Sequence, residues 1–221
     1  MTIMKTRNIQ ILIIGLILVS FLVGANLYTY IPEKMASHWD ANGSVDGYMP
    51  KLSGLFLLPV MMAILFLAFM TIPKIDPLKA NIEKFRGHFD VFVLLLFVLL
   101  FYIYMLSMLW NLGYRFNIIQ LLAPALGMIF YYSGVMMENA KQNWFIGVRT
   151  PWTLSSEVVW DKTNKLAGRL FKGAGVLAAM GSVFPKYAIF FILIPVTLAA
   201  VYPIIYSYQM YLQEIKGRSR V

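Results

Sequence analysis

"VFVLLLFVLLFYIYMLSMLWNLGY", Val91–Tyr114, runs for twenty-four residues without a charged side chain. A helix of about 20 residues crosses a hydrocarbon core of about 30 Å, so this stretch is long enough to span a bilayer. Similar uncharged runs cover Asn8–Pro32, Leu52–Pro73, Phe116–Met137 and Tyr187–Gln213, with a shorter one at Gly173–Pro185. The short run reaches spanning length when extended back to Leu166, with Arg169 and Lys172 stretching their stems toward the interface. The chain of 221 residues is 60% hydrophobic and 13% charged, which is not the composition of a soluble domain. The expected fold is an all-α integral membrane protein with six transmembrane helices.

Basic residues set the orientation, because lysine and arginine accumulate on the cytoplasmic side. With the N-terminus inside, Lys5, Arg7, the basic residues of 74–88, those of 139–172, and Lys216, Arg218 and Arg220 are all cytoplasmic. Only Lys34, Lys51, Arg115 and Lys186 of the nineteen are outside. The expected topology is therefore N-in/C-in. The net charge of +9 is mostly this bias, and no direct nucleic-acid partner is implied. Lys5, Arg7 and the apolar run ending near Val23-Gly24-Ala25 also resemble a signal peptide. However, Ile9–Tyr30 is longer than the roughly 7–15 residues of a signal core, so a retained first helix is expected.

The expected helices are 9–30, 54–72, 89–112, 117–138, 166–184 and 187–212. Ala174, Ala178 and Ser182, and Gly175 with Ala179, repeat at four-residue spacing in the fifth. Small residues at that spacing let backbones approach closely, so this helix should be the most enclosed. Pro195 and Pro203 are candidate kinks in the sixth. The natural division is an N-terminal two-helix membrane domain, 1–73, with an outside loop at 31–53. A four-helix membrane domain, 89–213, follows.

The outside loop, "PEKMASHWDANGSVDGYMPK", is rich in turn formers, with Asn42-Gly43 and Asp46-Gly47 both favouring tight turns. Asp40, Asn42, Ser44 and Asp46 alternate like calcium ligands. However, Val45 stands where such loops need glycine, and Lys51 where they need glutamate. His38 and Asp40 supply two ligands toward a metal without a third and fourth. No metal site and no cofactor is assigned. The loop reads as a compact cap with Trp39 and Tyr48 at headgroup depth, or as a recognition surface for an extracellular ligand.

The spans carry almost no ionisable groups at mid-depth, which argues against a pump. His38 and His88 fall on opposite faces, and no nucleophile–base, phosphate-loop or metalloprotease motif is present. No enzyme activity is expected. The chain has no cysteine, so thiol chemistry is excluded.

The segment 139–166 is the most distinctive polar stretch: "NWFIGVRTPWTLSSEVVW", Asn143–Trp160. Trp144, Trp152 and Trp160 suit a membrane interface. Arg149 can meet lipid phosphate, Glu138, Glu157 or freed helix-end carbonyls. Thr150-Pro151 disfavours helix at Thr150. Thr153, Ser155 or Ser156 can cap the helix that follows, with Glu157 in its first turn. The expected shape is a cytoplasmic interfacial hairpin between helices 4 and 5, feeding an interfacial helix that runs into helix 5.

This segment closely resembles the signature of the SdpI family of bacterial membrane proteins. The matching residues are Asn143, Ile146, Gly147, Arg149, Thr150, Pro151, Trp152, Thr153, Trp160, Asn164 and Ala167. The stretch from Ile31 to Tyr48 resembles the small membrane domain often fused upstream in the family, through Pro32, His38, Trp39, Asp40, Gly43 and Asp46. The resemblance implies a protein that protects its producer from a secreted toxin peptide. It also implies a receptor that holds a cytoplasmic DNA-binding autorepressor at the membrane. On that reading the outer residues recognise toxin, and the motif residues bind the repressor. The alternatives are a small-molecule or lipid permease, with Ser107, Asn117, Gln120 and Ser133 as path-lining candidates, and a membrane scaffold without a ligand.

The absence of native cysteine gives a direct check of sidedness. A cysteine at Ser44 should react with an impermeant thiol reagent in intact cells, and one at Ser155 only after permeabilisation. The opposite pattern would invert the topology.

Overall fold

The computed structural model describes residues 5–218. Arg220 and the side chain of Arg218, counted above in the basic tail, lie outside that description. Helix α1 spans Thr6–Leu27 and is followed by two strands, β1 (Lys34–Trp39) and β2 (Val45–Pro50). The remaining helices are α2 (Lys51–Ile75), α3 (Lys79–Glu83), α4 (Arg86–Asn111), α5 (Ile118–Asn139), α6 (Pro151–Ser155), α7 (Glu157–Met180) and α8 (Ala188–Arg218). Two single 3-10 turns, Gly181–Val183 and Pro185–Tyr187, join α7 to α8.

Five helices, α1, α2, α4, α5 and the one containing α8, are long and apolar enough to cross a membrane. Their outward faces remain apolar: Leu18, Leu22, Leu57, Ile64, Leu67, Val98, Met128, Leu193 and Leu198 are all exposed. Apolar surface on this scale is untenable in water and natural against lipid. The 24-residue α7 differs, because Glu157, Asp161, Lys162, Lys165, Arg169 and Lys172 charge its first two-thirds.

Several expectations need correction. The fold is not wholly helical, because in the outer loop, read as a compact cap, β1 and β2 pair antiparallel with Lys34 opposite Pro50 and Trp39 opposite Val45. Asp46-Gly47 lies inside β2 rather than in a turn, and the hairpin turns at Asn42-Gly43 instead. Gly43 takes φ +82° there, a conformation glycine adopts readily. Helix α2 starts directly at Lys51 and continues through Pro73 to Ile75. The interfacial helix and helix 5 expected in the sequence are one uninterrupted element, α7.

The tightest packing joins α5 to α7. A Cβ added at Gly127 would sit 2.5 Å from the Gly175 carbonyl oxygen, and one at Gly168 would sit 2.6 Å from that of Gly134. The two backbones therefore touch, antiparallel, at two levels. Ala174 and Ala178 are buried beside this contact, as the small-residue spacing predicts. On the other side α7 meets α8, where Gly181 abuts Ala188 and Phe191. An apolar core joins α1, α2 and α4 through Ile9, Ile13, Met62, Phe89, Val93 and Phe97, and continues to Met136 of α5, Ile146 of the loop and Trp160 of α7.

Bonds between elements divide the molecule into two ends. At one end the hairpin rests on α4: the Asn111 amide accepts from Ala36 N (2.8 Å) and donates to Ala36 O (3.0 Å). The α4–α5 turn is there too, with Asn117 donating to Asn42 O. At the other end lie the start of α1, the loop 76–85, the loop 140–150, α6 and the end of α8. Thr6 bonds Asp90 there, and Ser156 bonds Glu214.

Because Gly134 admits no side chain, Gly134→Val should cost about 1–3 kcal/mol through overpacking. Gly15, whose Cβ would meet nothing within 4 Å, is the control. Thermal melting in detergent should fall for Gly134→Val and hold for Gly15→Val.

Candidate functional site

The loop 140–150 is folded by its own side chains. Asn143 is fully buried. Its carbonyl accepts from Phe145 N (2.9 Å) and Ile146 N (2.6 Å), and its amide donates to Lys141 O (2.8 Å) and Ile146 O (3.0 Å). All four hydrogen-bonding positions of the amide are filled. Gly147 follows at φ +102°, where a Cβ would strike Asn164 Oδ1. Asn164 accepts from Val148 N (2.8 Å) and donates to Trp160 O (3.1 Å). Trp160 donates from Nε1 to Ala140 O (2.9 Å). Asn143 thus folds the loop on itself, and Asn164 and the Trp160 indole tie it to the first two turns of α7.

Trp160 is a correction to the sequence reading. It is 2% exposed and sits in the core under the loop, not at headgroup depth. Trp144 is exposed, and Trp152 lies against Tyr208 of α8 with ring centroids 4.9 Å apart. Arg149 donates to a loop carbonyl, that of Trp144, a partner the sequence reading did not name. Glu138 pairs instead with Lys172 of α7 at 2.7 Å.

Thr150 is extended and caps α6 in a reciprocal box. Thr153 N donates to Thr150 Oγ1, and Thr150 N donates to Thr153 Oγ1. Pro151 takes the first helical position, where its missing N–H costs nothing. Thr150 also bonds Ser207 of α8 at 3.1 Å. Ser156, of the three candidates, caps α7 through Val159 N.

The motif residues therefore sort into two groups. Asn143, Thr150, Thr153, Trp160 and Asn164 are buried and build the shape, with Gly147 permitting it. Trp144, Phe145, Arg149 and Pro151 face outward, and Trp152 is half-buried. A neighbouring cleft of about 290 Å³ is lined by Lys84, Lys141, Glu157 and Asp161, mixing both charges.

Asp76 and Asn81 were not singled out in the sequence. Asp76 is 2% exposed. One carboxylate oxygen accepts from Leu78 N (2.6 Å), and the other from Trp144 N (2.9 Å). Asn81 donates to Gln142 O (2.9 Å). Asp76-Pro77 carries a turn signal. Nothing local marks a bond to a residue 68 positions away.

At the hairpin end, His38 pairs with Asp46. Asp40 accepts from Asn42 N and Ser44 N. The Ser44 bond, against desolvation and with help from Asn42 and Gly43, holds its carboxyl below the usual range. These acidic residues thus serve the turn, and among the described residues no group of three or more His, Asp or Glu side chains is placed to hold a metal. Trp39 meets Trp110 edge-on at 5.9 Å, and Arg115 covers Trp110 at 4.9 Å. The structure brings His38, Trp39, Asp40, Gly43 and Asp46 together here, at the opposite end from the motif. Three of the four polar residues considered as a permeation path bond within the fold, and the fourth, Ser107, lines a small cavity beneath the hairpin. Gln120 donates to Ser182 O, Ser133 donates to Ile129 O, and Asn117 caps α5.

A model of the SdpI/YfhL protein family matches residues 139–207, the loop together with α7 and most of α8. A second model, described as a domain of unknown function (DUF1648), matches residues 15–63. Immunity protein SdpI of Bacillus subtilis (strain 168) is 32% identical over 211 residues, covering 94% of this chain and 97% of that protein. No solved structure matches. With identity sustained through both ends of the bundle, this multi-pass membrane protein belongs to the SdpI family.

Proposed function

We propose that this protein confers immunity to a secreted toxin peptide and reports its presence across the membrane. The observation that carries the reading is the 32% identity to an immunity protein over nearly the whole of both chains. In this reading α7 is the sixth span, the hairpin faces outside, and the motif end faces the cytoplasm. The lysine and arginine distribution supports that sidedness. The antiparallel glycine contacts support α7 as a span, since they set its 166–180 portion level with α5 and leave 157–165 projecting beyond it.

The hairpin end meets toxin in this scheme, with His38, Trp39, Asp40 and Asp46 as recognition residues. The outward side chains Trp144, Phe145, Arg149 and Trp152 receive a cytoplasmic DNA-binding repressor. Helix α2 supports a route between them. It begins where β2 ends, without an intervening residue, and runs about 37 Å at 1.5 Å per residue. Its C-terminal cap, Asp76, holds Trp144 N. A displacement of the hairpin along α2 is therefore delivered to the motif loop. Such a switch needs toxin to bind its two states unequally.

The test uses a bacterial strain sensitive to the toxin that the family's namesake resists, together with a fluorescent repressor. Intact protein should protect the cells and draw the repressor to the membrane when toxin is added. Arg149→Ala, at unchanged protein level, should abolish recruitment. Asp76→Asn removes one acceptor and leaves a buried N–H unpaired, a loss of about 1–3 kcal/mol, and should weaken recruitment more than protection. Failure of intact, membrane-inserted protein to protect would refute immunity. Undiminished recruitment by Arg149→Ala would refute the role of the loop.

A further inference from the structure

A groove of about 440 Å³ runs between α7 and α8, walled by Arg169, Gly173 and Leu177 on one side and Pro195, Leu198 and Tyr202 on the other. Leu177, Leu198 and Tyr202 are all exposed. Gly173 has no packing reason to be glycine, since a Cβ there would meet nothing within 4 Å. Its effect is to leave the groove open.

Charge along this face changes abruptly. Lys162, Lys165, Arg169, Gly173, Val176, Leu177 and Met180 recur at three- and four-residue spacing, and all are exposed. They form one stripe, cationic up to Arg169 and apolar from Gly173 onward. Neighbouring charges are matched: Lys165 with Asp161 and Lys172 with Glu138. Arg169 has no hydrogen-bond or ion-pair partner among the described residues. It lies next to Gly168, which packs on Gly134 and Glu138 in the last turns of α5. That level is where the apolar span gives way to the polar motif end. An unopposed guanidinium facing lipid there is costly unless an anion meets it.

We propose that this groove binds one anionic phospholipid. Its phosphate sits on the Arg169 guanidinium with the Tyr202 hydroxyl beside it. One acyl chain lies past Gly173 along Leu177 and Leu198, about 12 Å of groove at 1.5 Å per residue. Both requirements of such a ligand, a headgroup cation and an apolar trough, are met by one continuous surface. The leaflet follows from the sidedness proposed above, whereas the lipid site does not depend on toxin or repressor.

Native mass spectrometry of the purified full chain with phosphatidylglycerol or phosphatidylcholine tests this. The wild type should hold phosphatidylglycerol about fivefold better, the scale of one arginine near an anionic surface. Arg169→Gln should equalise the two lipids, and Arg169→Lys should restore part of the preference. Gly173→Leu should reduce occupancy by both, while Lys186→Gln, at the other end, should change neither. Soluble glycerol 3-phosphate should not displace the lipid. Melting in lipid-free detergent separates these effects from misfolding. A preference surviving Arg169→Gln, or lipid occupancy unaffected by a correctly folded Gly173→Leu, overturns the site. Toxin protection is a separate readout, so the two proposals fail independently.

Discussion

Gly134 and Gly168 meet backbone to backbone, and Gly127 meets Gly175 two turns further along. In a membrane the hydrophobic effect does not drive helices together, so close van der Waals approach must. Once α5 and α7 touch at two levels, their relative height is fixed. The charged first turns of α7 are then carried past the end of α5, and Trp160 arrives beneath Ala140. The loop between the helices has to fold back over that indole. The motif's shape is therefore a consequence of where two glycine pairs set two helices.

The loop is held almost wholly by polar side chains acting on backbone. Asn143 satisfies four backbone groups, Asn164 two, and Thr153 closes the cap of α6 while donating to Val148 O. Buried unpaired backbone groups are expensive, and a compact turn between two helices creates many of them. Asparagine and threonine answer that need because they mimic backbone amide and carbonyl at short reach. This explains why so polar a sequence is buried, and why the exposed remainder is aromatic and cationic. Tryptophan and arginine are among the residue types from which binding hot spots are made, and phenylalanine is enriched at interfaces.

Helix α2 stands apart from this rigid unit. Only Leu55, Pro59, Met62 and Pro73 are buried along its 25 residues. It joins the hairpin at Lys51 and Trp144 through Asp76, and between them Met62, Phe66 and Phe69 pack on the core of α1 and α4. Among the five long apolar helices α2 has the smallest buried share, and buried contacts are what resist displacement, which suits the signalling route proposed above.

Hydrophobic run length and basic-residue bias determined five of the expected spans, the class and the expected sidedness, because a bilayer imposes both on any chain that crosses it. Small-residue spacing at Ala174, Gly175, Ala178 and Ala179 marked α7 as closely packed, and the resemblance of Asn143–Trp160 marked the family. Tertiary structure alone decided the rest. Gly127 and Gly134 stand seven residues apart in α5, and nothing local names their partners on α7. Asp76 and Trp144 are distant in sequence and meet only when α2 and α5 end at the same level. Trp160 reads as interfacial from its type and is core because the loop closes over it. The hairpin rests on α4 because the Asn111 amide offers Ala36 a donor and an acceptor across 75 residues. Local sequence carries periodicity and composition; which surfaces then face each other depends on packing between elements far apart in the chain.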